Sequence, residues 1–199
     1  MARKKTITRD HILNAAYNLV IAEGFKRFTA RNIAASMGCS TQPIYLEFAN
    51  MADLRQAVVD RIKSELTERF QKTYTDDPLI DMALTYIDFA IENNSLYQSV
   101  FVEDHLGVDD MRQFAMSAAL KRLDKYDSVK NLTETQKNNV ITGAWIVATG
   151  IADLMSAGFI HISHAQMIDI LQSVLKDFIE NKRFSEVDDD NIVSMARAN

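Results

Sequence analysis

Thr41, Gln42, Pro43 and Tyr45 stand within five positions of one another and offer a recognition chemistry. They supply a carboxamide that donates and accepts at once, two hydroxyls, and a ring with only apolar contact to give. The stretch that holds them, TARNIAASMGCSTQPIYLEF from Thr29 to Phe48, reads as two helices joined by a tight turn, a helix-turn-helix. Ile33, Ala34 and Met37 put apolar or small side chains on one face of a short helix, and Ile44 and Phe48 resume the pattern in a second. Gly38 can take positive φ at little cost and so ends the first helix abruptly. Ser40 or Thr41 is placed to cap the second. Pro43, which has no N–H, is tolerated only in a first turn, so that helix begins between Cys39 and Gln42. Ala34 keeps the facing surface thin, which lets the helices cross closely with Ile44 between them. A helical hairpin in an ordinary core would share these features.

The string Ile33-Ala34, Gly38-Cys39-Ser40, Ile44-Tyr45, Phe48 and Leu54 resembles the DNA-binding head of the tetracycline-repressor (TetR) family, over about residues 7–58. Past residue 60 the resemblance is only architectural. It implies that Thr41, Gln42 and Pro43, with Ser40 beside them, enter the major groove. Gln42 can pair bidentately with an adenine edge, Thr41 can use its hydroxyl on a base or phosphate, and Pro43 suits a thymine methyl. By the same resemblance Tyr45 gives its hydroxyl to a phosphate, and Thr29 and Arg31, at the start of the preceding helix, approach the DNA backbone. Lys5 lies in a basic arm, Met1 to Ile7, that could reach a neighbouring groove or backbone. One departure is that Leu46 and Glu47 stand where many members carry a base-friendly residue such as histidine. Glu47 would repel phosphate.

These residues need a scaffold, and the composition specifies its kind. A chain of 199 residues with 47% hydrophobic side chains has apolar surface enough for a substantial core. Six glycines, two prolines and runs of Ala, Leu, Ile and Met at helical spacing predict an all-α fold. A single cysteine excludes an intramolecular disulfide, and no apolar stretch of signal-peptide length follows MARKKTITRD, so a cytoplasmic location is expected. The uncharged run Val140 to Ala152 is short for a bilayer span and reads as a buried helix, so no membrane is expected. Net charge is −5, yet residues 1–45 carry seven basic side chains against Asp10 and Glu23, a balance of +5 that leaves −10 for the remainder. A basic head on an acidic body suits a protein that meets phosphates at one end.

Taken in order, Thr8 caps a first helix whose buried stripe is Ile12, Leu13, Ala16, Leu19 and Val20. Gly24 ends it, and Phe25 and Phe28 close a three-helix head. Asn50 and Asp53 form a variant capping box for a long helix marked by Leu54, Val58, Ile62, Leu66 and Phe70, with Lys63, Arg69 and Lys72 on its solvated face. In the family that helix couples ligand binding in the body to the separation of two heads. After Asp76-Asp77-Pro78, helices are expected over about 79–92, 96–102, 110–126, 134–157 and 164–181, with a turn around 104–109. The organisation is then a DNA-binding domain over 1–50, a helical ligand-binding and dimerisation domain over 51–184, and a tail over 185–199.

In the body, Gly143, Gly150, Ala144, Ala148 and Ala152 would let helices approach closely in a four-helix bundle of two subunits through about residues 134–181, with Ile168, Leu171, Leu175, Phe178 and Ile179 on the second helix. Packing within one subunit accounts for either stripe separately. Tyr86, Phe89, Phe101, Phe114 and Trp145 are candidate lining for a small-molecule effector, and Asp153 interrupts an apolar helix where a buried carboxylate needs a partner. His161 with His164, and His105 beside Asp104 and Asp109, lack defensible metal-ligand geometry, so neither metal nor cofactor is expected. No phosphate loop, nucleophile elbow or fixed carboxylate pair suggests an enzyme. The expectation is a homodimeric repressor on a pseudo-palindromic double-stranded operator, released by a small molecule. A DNA-bound adaptor for a protein partner, or an α-helical enzyme or carrier, are the alternatives.

Overall fold

In the computed structural model, residues 7–102 and 108–184 are described. They form helices α1 (Arg9–Glu23), α2 (Ala30–Ser36), α3 (Gln42–Glu47), α4 (Met51–Arg69), α5 (Pro78–Glu92), α6 (Asn94–Tyr97), α7 (Val108–Leu123), α8 (Glu134–Ser156) and α9 (His164–Asn181), with no strand among the described residues. The fold is all-α, with the helix-turn-helix at its N-terminal end. The basic arm with Lys5, most of the turn that holds Asp104 and His105, and the tail over 185–199 lie outside the described residues.

The chain divides into two compact units, one of residues 1–69 with 92–112, the other of 70–91 with 113–199. The first unit takes in α4 and α6, so it is larger than a head ending at residue 50. Its core is Ile12, Ala16, Val20, Ile33, Ile44, Phe48, Leu54 and Ile62, each nearly inaccessible to solvent. Leu13, expected in the buried stripe of α1, is only half-buried, and Tyr17 is buried in its place in the helical register. The Tyr17 hydroxyl donates to Glu65 of α4. Gly24 ends α1 at φ 71, and a Cβ there would lie 2.4 Å from Ser99 Oγ, so the segment after α6 packs directly on that corner.

Caps follow the sequence. Thr8 and Thr29 accept from the backbone N–H groups of His11 and Asn32, and Asn50 Oδ1 accepts from Asp53 N at 2.9 Å while Asp53 Oδ2 accepts from Ala49 N at 3.0 Å. Lys63, Arg69 and Lys72 do not form a merely solvated face. Lys63 pairs with Asp110, Arg69 with Glu92 at 3.0 Å, and Lys72 with Asp88 at 3.8 Å.

The second unit is built on α8 and α9, opened by capping boxes at Thr133/Gln136 and Ser163/Gln166. The small residues of α8 are spent inside the chain. A Cβ on Gly143 would lie 2.4 Å from the Phe178 ring of α9, and Ala144, Ala148 and Ala152 are buried. Only Gly150 of that series faces open space. By length and composition alone the whole of α8 could cross a membrane, but eight of its residues are buried in this unit, which accounts for its apolarity.

Gly143→Ala should destabilise the second unit by about 1–3 kcal/mol, as overpacking does. Phe178→Leu in the same chain should recover part of the loss, measured by urea unfolding. In the first unit, burial and then the hydrogen bond to Glu65 push the Tyr17 phenol up to about 12. A folded pKa above the ordinary 10.0 means that this stabilisation is present below about pH 10 and is lost as pH rises toward 12. Tyr17→Phe should lack that alkaline fall in a pH series of unfolding curves.

Candidate nucleic-acid interface

The interface is built at the turn between α2 and α3. Gly38 sits at φ 63, and the bonds Cys39 N–H to Ala34 O (3.0 Å) and Gly38 N–H to Ala35 O (3.1 Å) close α2 in a Schellman arrangement. Ala34 and Ile44 are 2% and 0% exposed, so the two helices meet through the small residue and the isoleucine. Gln42 opens α3 and Pro43 falls in its first turn.

Thr41 occupies the N-cap position in αR conformation and its side chain makes no cap hydrogen bond. Neither Ser40 nor Thr41 therefore caps α3 with its hydroxyl. The first bond of the helix, Ile44 N–H to Thr41 O at 3.1 Å, is a tight i to i+3 closure in which the backbone, not the side chain, begins the helix. The Ser40 and Thr41 hydroxyls are thus left for other partners.

Ser40, Gln42 and Tyr45 are exposed, and Thr41 and Pro43 are half-exposed. The side chains of Gln42 and Tyr45 make no hydrogen bond among the described residues. Leu46, 71% exposed, is a large apolar side chain presented beside them. At the start of α2, Thr29 and Arg31 are exposed as well, and Arg31 forms no ion pair among the described residues. One stretch of chain thus presents two hydroxyls, a carboxamide, a phenol and a guanidinium to solvent on a rigid support.

Not every basic residue of the head is available in this way. Arg9 donates to the Glu47 carbonyl at the end of α3 (2.8 Å), stacks 4.0 Å over the Phe48 ring and lies 3.9 Å from Asp53. Arg27 pairs with Glu23 at 3.0 Å. Arg9 ties α1 to the end of α3 and Arg27 is taken up in a local pair, which a charge count along the sequence cannot distinguish from phosphate binding.

The second unit contains a cavity of about 60 Å³ whose walls are almost wholly apolar. Tyr86 and Trp145 line it, with Met82, Phe70, Ile141 and Leu171 among others. Phe89, Phe101, Phe114 and Asp153 are not among its lining residues. Phe89 is buried, Phe101 packs on Tyr97 in the first unit, Phe114 stacks on Phe70 at 6.3 Å, and Asp153 belongs to a separate groove on α8. Sequence reasoning sought large aromatics, but space is made where side chains are small. Ala115 and Ala119 on α7 and Ala144 and Ala148 on α8, each pair spaced by four, are the missed signal.

The polar tips in the cavity wall satisfy one another. Trp145 Nε1 donates to the Tyr86 oxygen (3.2 Å), which lies 3.1 Å from Thr149 Oγ1. Among the described residues no group of three His, Cys, Asp or Glu side chains could hold a metal ion. His164 instead lies 2.9 Å from Asp88, which also accepts from the Tyr74 hydroxyl.

An exposed helix-turn-helix with polar side chains unbonded among the described residues has the form of a DNA-reading head. Residues 12–58 match the family described as bacterial regulatory proteins, tetR family. The fold agrees with solved structures along most of the chain. A TetR-like transcriptional regulator from Rhodococcus sp. RHA1 superposes with TM-score 0.59 at 17% identity, covering 88% of this chain and 97% of that one. The regulator FadR from Bacillus subtilis, in complex with stearoyl-CoA, does so with TM-score 0.57 at 13% identity over 85% and 97%. SmeT, the repressor of the Stenotrophomonas maltophilia multidrug efflux pump SmeDEF, gives 0.54 at 20% identity over 85% and 89%. No curated protein matches the chain by sequence.

Arg9→Ala should lower the stability of the first unit by about 1 kcal/mol, since it removes a charge-assisted hydrogen bond and a ring contact at a half-exposed site. The salt dependence of DNA binding should keep its slope, because no phosphate contact is lost. A slope reduced by about one would make Arg9 a phosphate ligand instead.

Proposed function

We propose that this regulator is a homodimeric repressor that occupies a pseudo-palindromic operator and leaves it when a small molecule binds the body. The observation that carries the DNA-reading part is the exposed, internally unbonded polar surface at the start of α3. Thr41, Gln42 and Pro43 read base edges, Gln42 through a bidentate contact with adenine, while Ser40, Tyr45, Thr29 and Arg31 hold the backbone and set the register. Leu46 adds an apolar contact at the same surface. Lys5 acts from the arm that precedes α1.

Dimerisation through residues 134–181 is supported by what α8 and α9 leave uncovered. Ile146 is 59% exposed, Leu154 45% and Ile170 36%, and Gly150 leaves room for close approach. A second copy on this face would bury them and give two heads related by a two-fold axis, as a pseudo-palindrome requires. The effector part is supported by the apolar cavity with Tyr86 and Trp145 in its wall. Met82 and Met116 line it too, and such flexible side chains let about 60 Å³ widen around a larger ligand. The reading is supported by SmeT, which is a repressor, and by FadR, a regulator solved in complex with stearoyl-CoA. Residues 1–50 then read DNA, 51–184 bind effector and dimerise, and the protein works in the cytoplasm, where its operator is.

Selection from random duplexes at fixed salt, with sequencing of the retained DNA, tests this assignment. A pseudo-palindrome should emerge, and Gln42→Ala should relax one base pair per half-site at a cost of about 1–3 kcal/mol. Arg31→Ala should weaken binding evenly across sequences. Recovery of no motif by the intact protein would refute operator reading.

A further inference from the structure

The apolar cavity of the second unit has no hydrogen-bonding group left to offer. Of the residues that line it, only Tyr86 and Trp145 carry a side-chain oxygen or nitrogen, and none carries a charge. Both are already engaged. The Trp145 N–H is given to the Tyr86 oxygen at 3.2 Å, and Thr149 Oγ1 stands 3.1 Å from that oxygen. The helix ends at the wall are satisfied as well. The Leu79 and Ile80 N–H groups, in the first turn of α5, donate to Asp77 Oδ1 at 2.9 and 3.1 Å, and the Phe70 carbonyl accepts from Arg122 Nη2 at 3.0 Å. No buried side-chain oxygen or nitrogen of this wall is without a partner among the described residues. A ligand group that carries charge or needs a hydrogen bond would lose its water here and meet nothing in return.

Space and access narrow the ligand further. Ala115 and Ala119 on α7, with Ala144 and Ala148 on α8, leave a volume of about 60 Å³. That is less than half of the about 150 Å³ in which an engineered dry cavity holds benzene. A ring therefore enters only as Met82 and Met116 give way, which unbranched thioether side chains do readily. Most of the wall is buried, but Ala83 on α5 and Ala115 and Met116 on α7 are half-exposed and mark its mouth. These three side chains are uncharged, so the mouth does not hold an ionic head left outside either.

We propose that this cavity takes a small neutral hydrocarbon-like molecule, a single ring with short alkyl substituents and no group that must keep a hydrogen bond. It enters between Ala83 and Ala115, displaces Met116 and lies against the Trp145 ring. Organic cations and carboxylates of the same size are rejected, because their desolvation is not offset. That such a molecule is the effector rests on the reading above; that the cavity binds it is tested separately.

Trp145 is the single tryptophan of the chain, so its emission reports on the cavity selectively. The full-length protein is titrated with ethylbenzene, benzyl alcohol, protonated benzylamine and benzoate, all below their solubility limits. Ethylbenzene should give a saturable change, with a negative heat-capacity change in calorimetry. Benzyl alcohol should bind about tenfold or more weaker, the consequence of burying a hydroxyl without a partner, and the two ions should give no saturable change. Ala148→Leu and Ala119→Leu fill the cavity from opposite helices, and each variant that melts with the parent should lose ethylbenzene. Met116→Ala, at a half-exposed position, should shift preference from ethylbenzene toward butylbenzene. Absence of ethylbenzene binding, equal binding of benzyl alcohol, or unchanged ethylbenzene binding in a folded filling variant would overturn the proposal. An ion that binds, is blocked by the filling variants and releases operator DNA would overturn the ligand class while leaving the effector reading in place. Ethylbenzene that binds in the cavity yet leaves an operator complex intact would uphold the ligand class and refute the effector reading.

Discussion

The DNA-reading surface depends on one constraint, the reversal of the chain between α2 and α3 within five residues. Gly38 at φ 63 makes that reversal possible without a Cβ penalty, and the two Schellman bonds hold it. Ala34 on one helix and Ile44 on the other then fit at close range. Because backbone and small side chains do this work, the polar residues at the start of α3 have no structural duty. Thr41 shows this most directly, since it stands at the cap position and its hydroxyl does not cap.

Electrostatics in the head are divided between holding and binding. Arg9 and Arg27 are engaged with a helix end, a ring and carboxylates of their own unit, while Arg31 has no such partner among the described residues. Their formal charges are alike. What separates them is where tertiary packing brings acceptors within reach, and so net charge overstates the phosphate-binding capacity of the head.

In the second unit the same economy governs space. Gly143 is consumed by Phe178, and alanines at spacing four on α7 and α8 leave the cavity that larger residues would fill. Tyr86, Trp145 and Thr149 close their hydrogen bonds on one another, which keeps the wall apolar. Asp153 Oδ1 and Asn139 Nδ2 stand outside that closed set, buried and without a partner among the described residues.

Local chemistry was legible in the sequence because it acts over a few residues. Caps at Thr8 and Thr29, the Asn50/Asp53 box, the stop at Gly24, the turn at Gly38 and the bounds of α8 and α9 follow from propensity and periodicity alone. So did the choice of Gln42 and Tyr45 as presented side chains, because an amphipathic helix must leave one face outward. Pairing over long separations was not legible. That α6 joins the first unit, that Lys63 meets Asp110, that Gly143 receives a ring from α9, and that Phe101 and Phe114 lie away from the cavity depend on which helices meet. Periodicity gives a helix its apolar face but not its neighbour, and only the packed structure chooses between them.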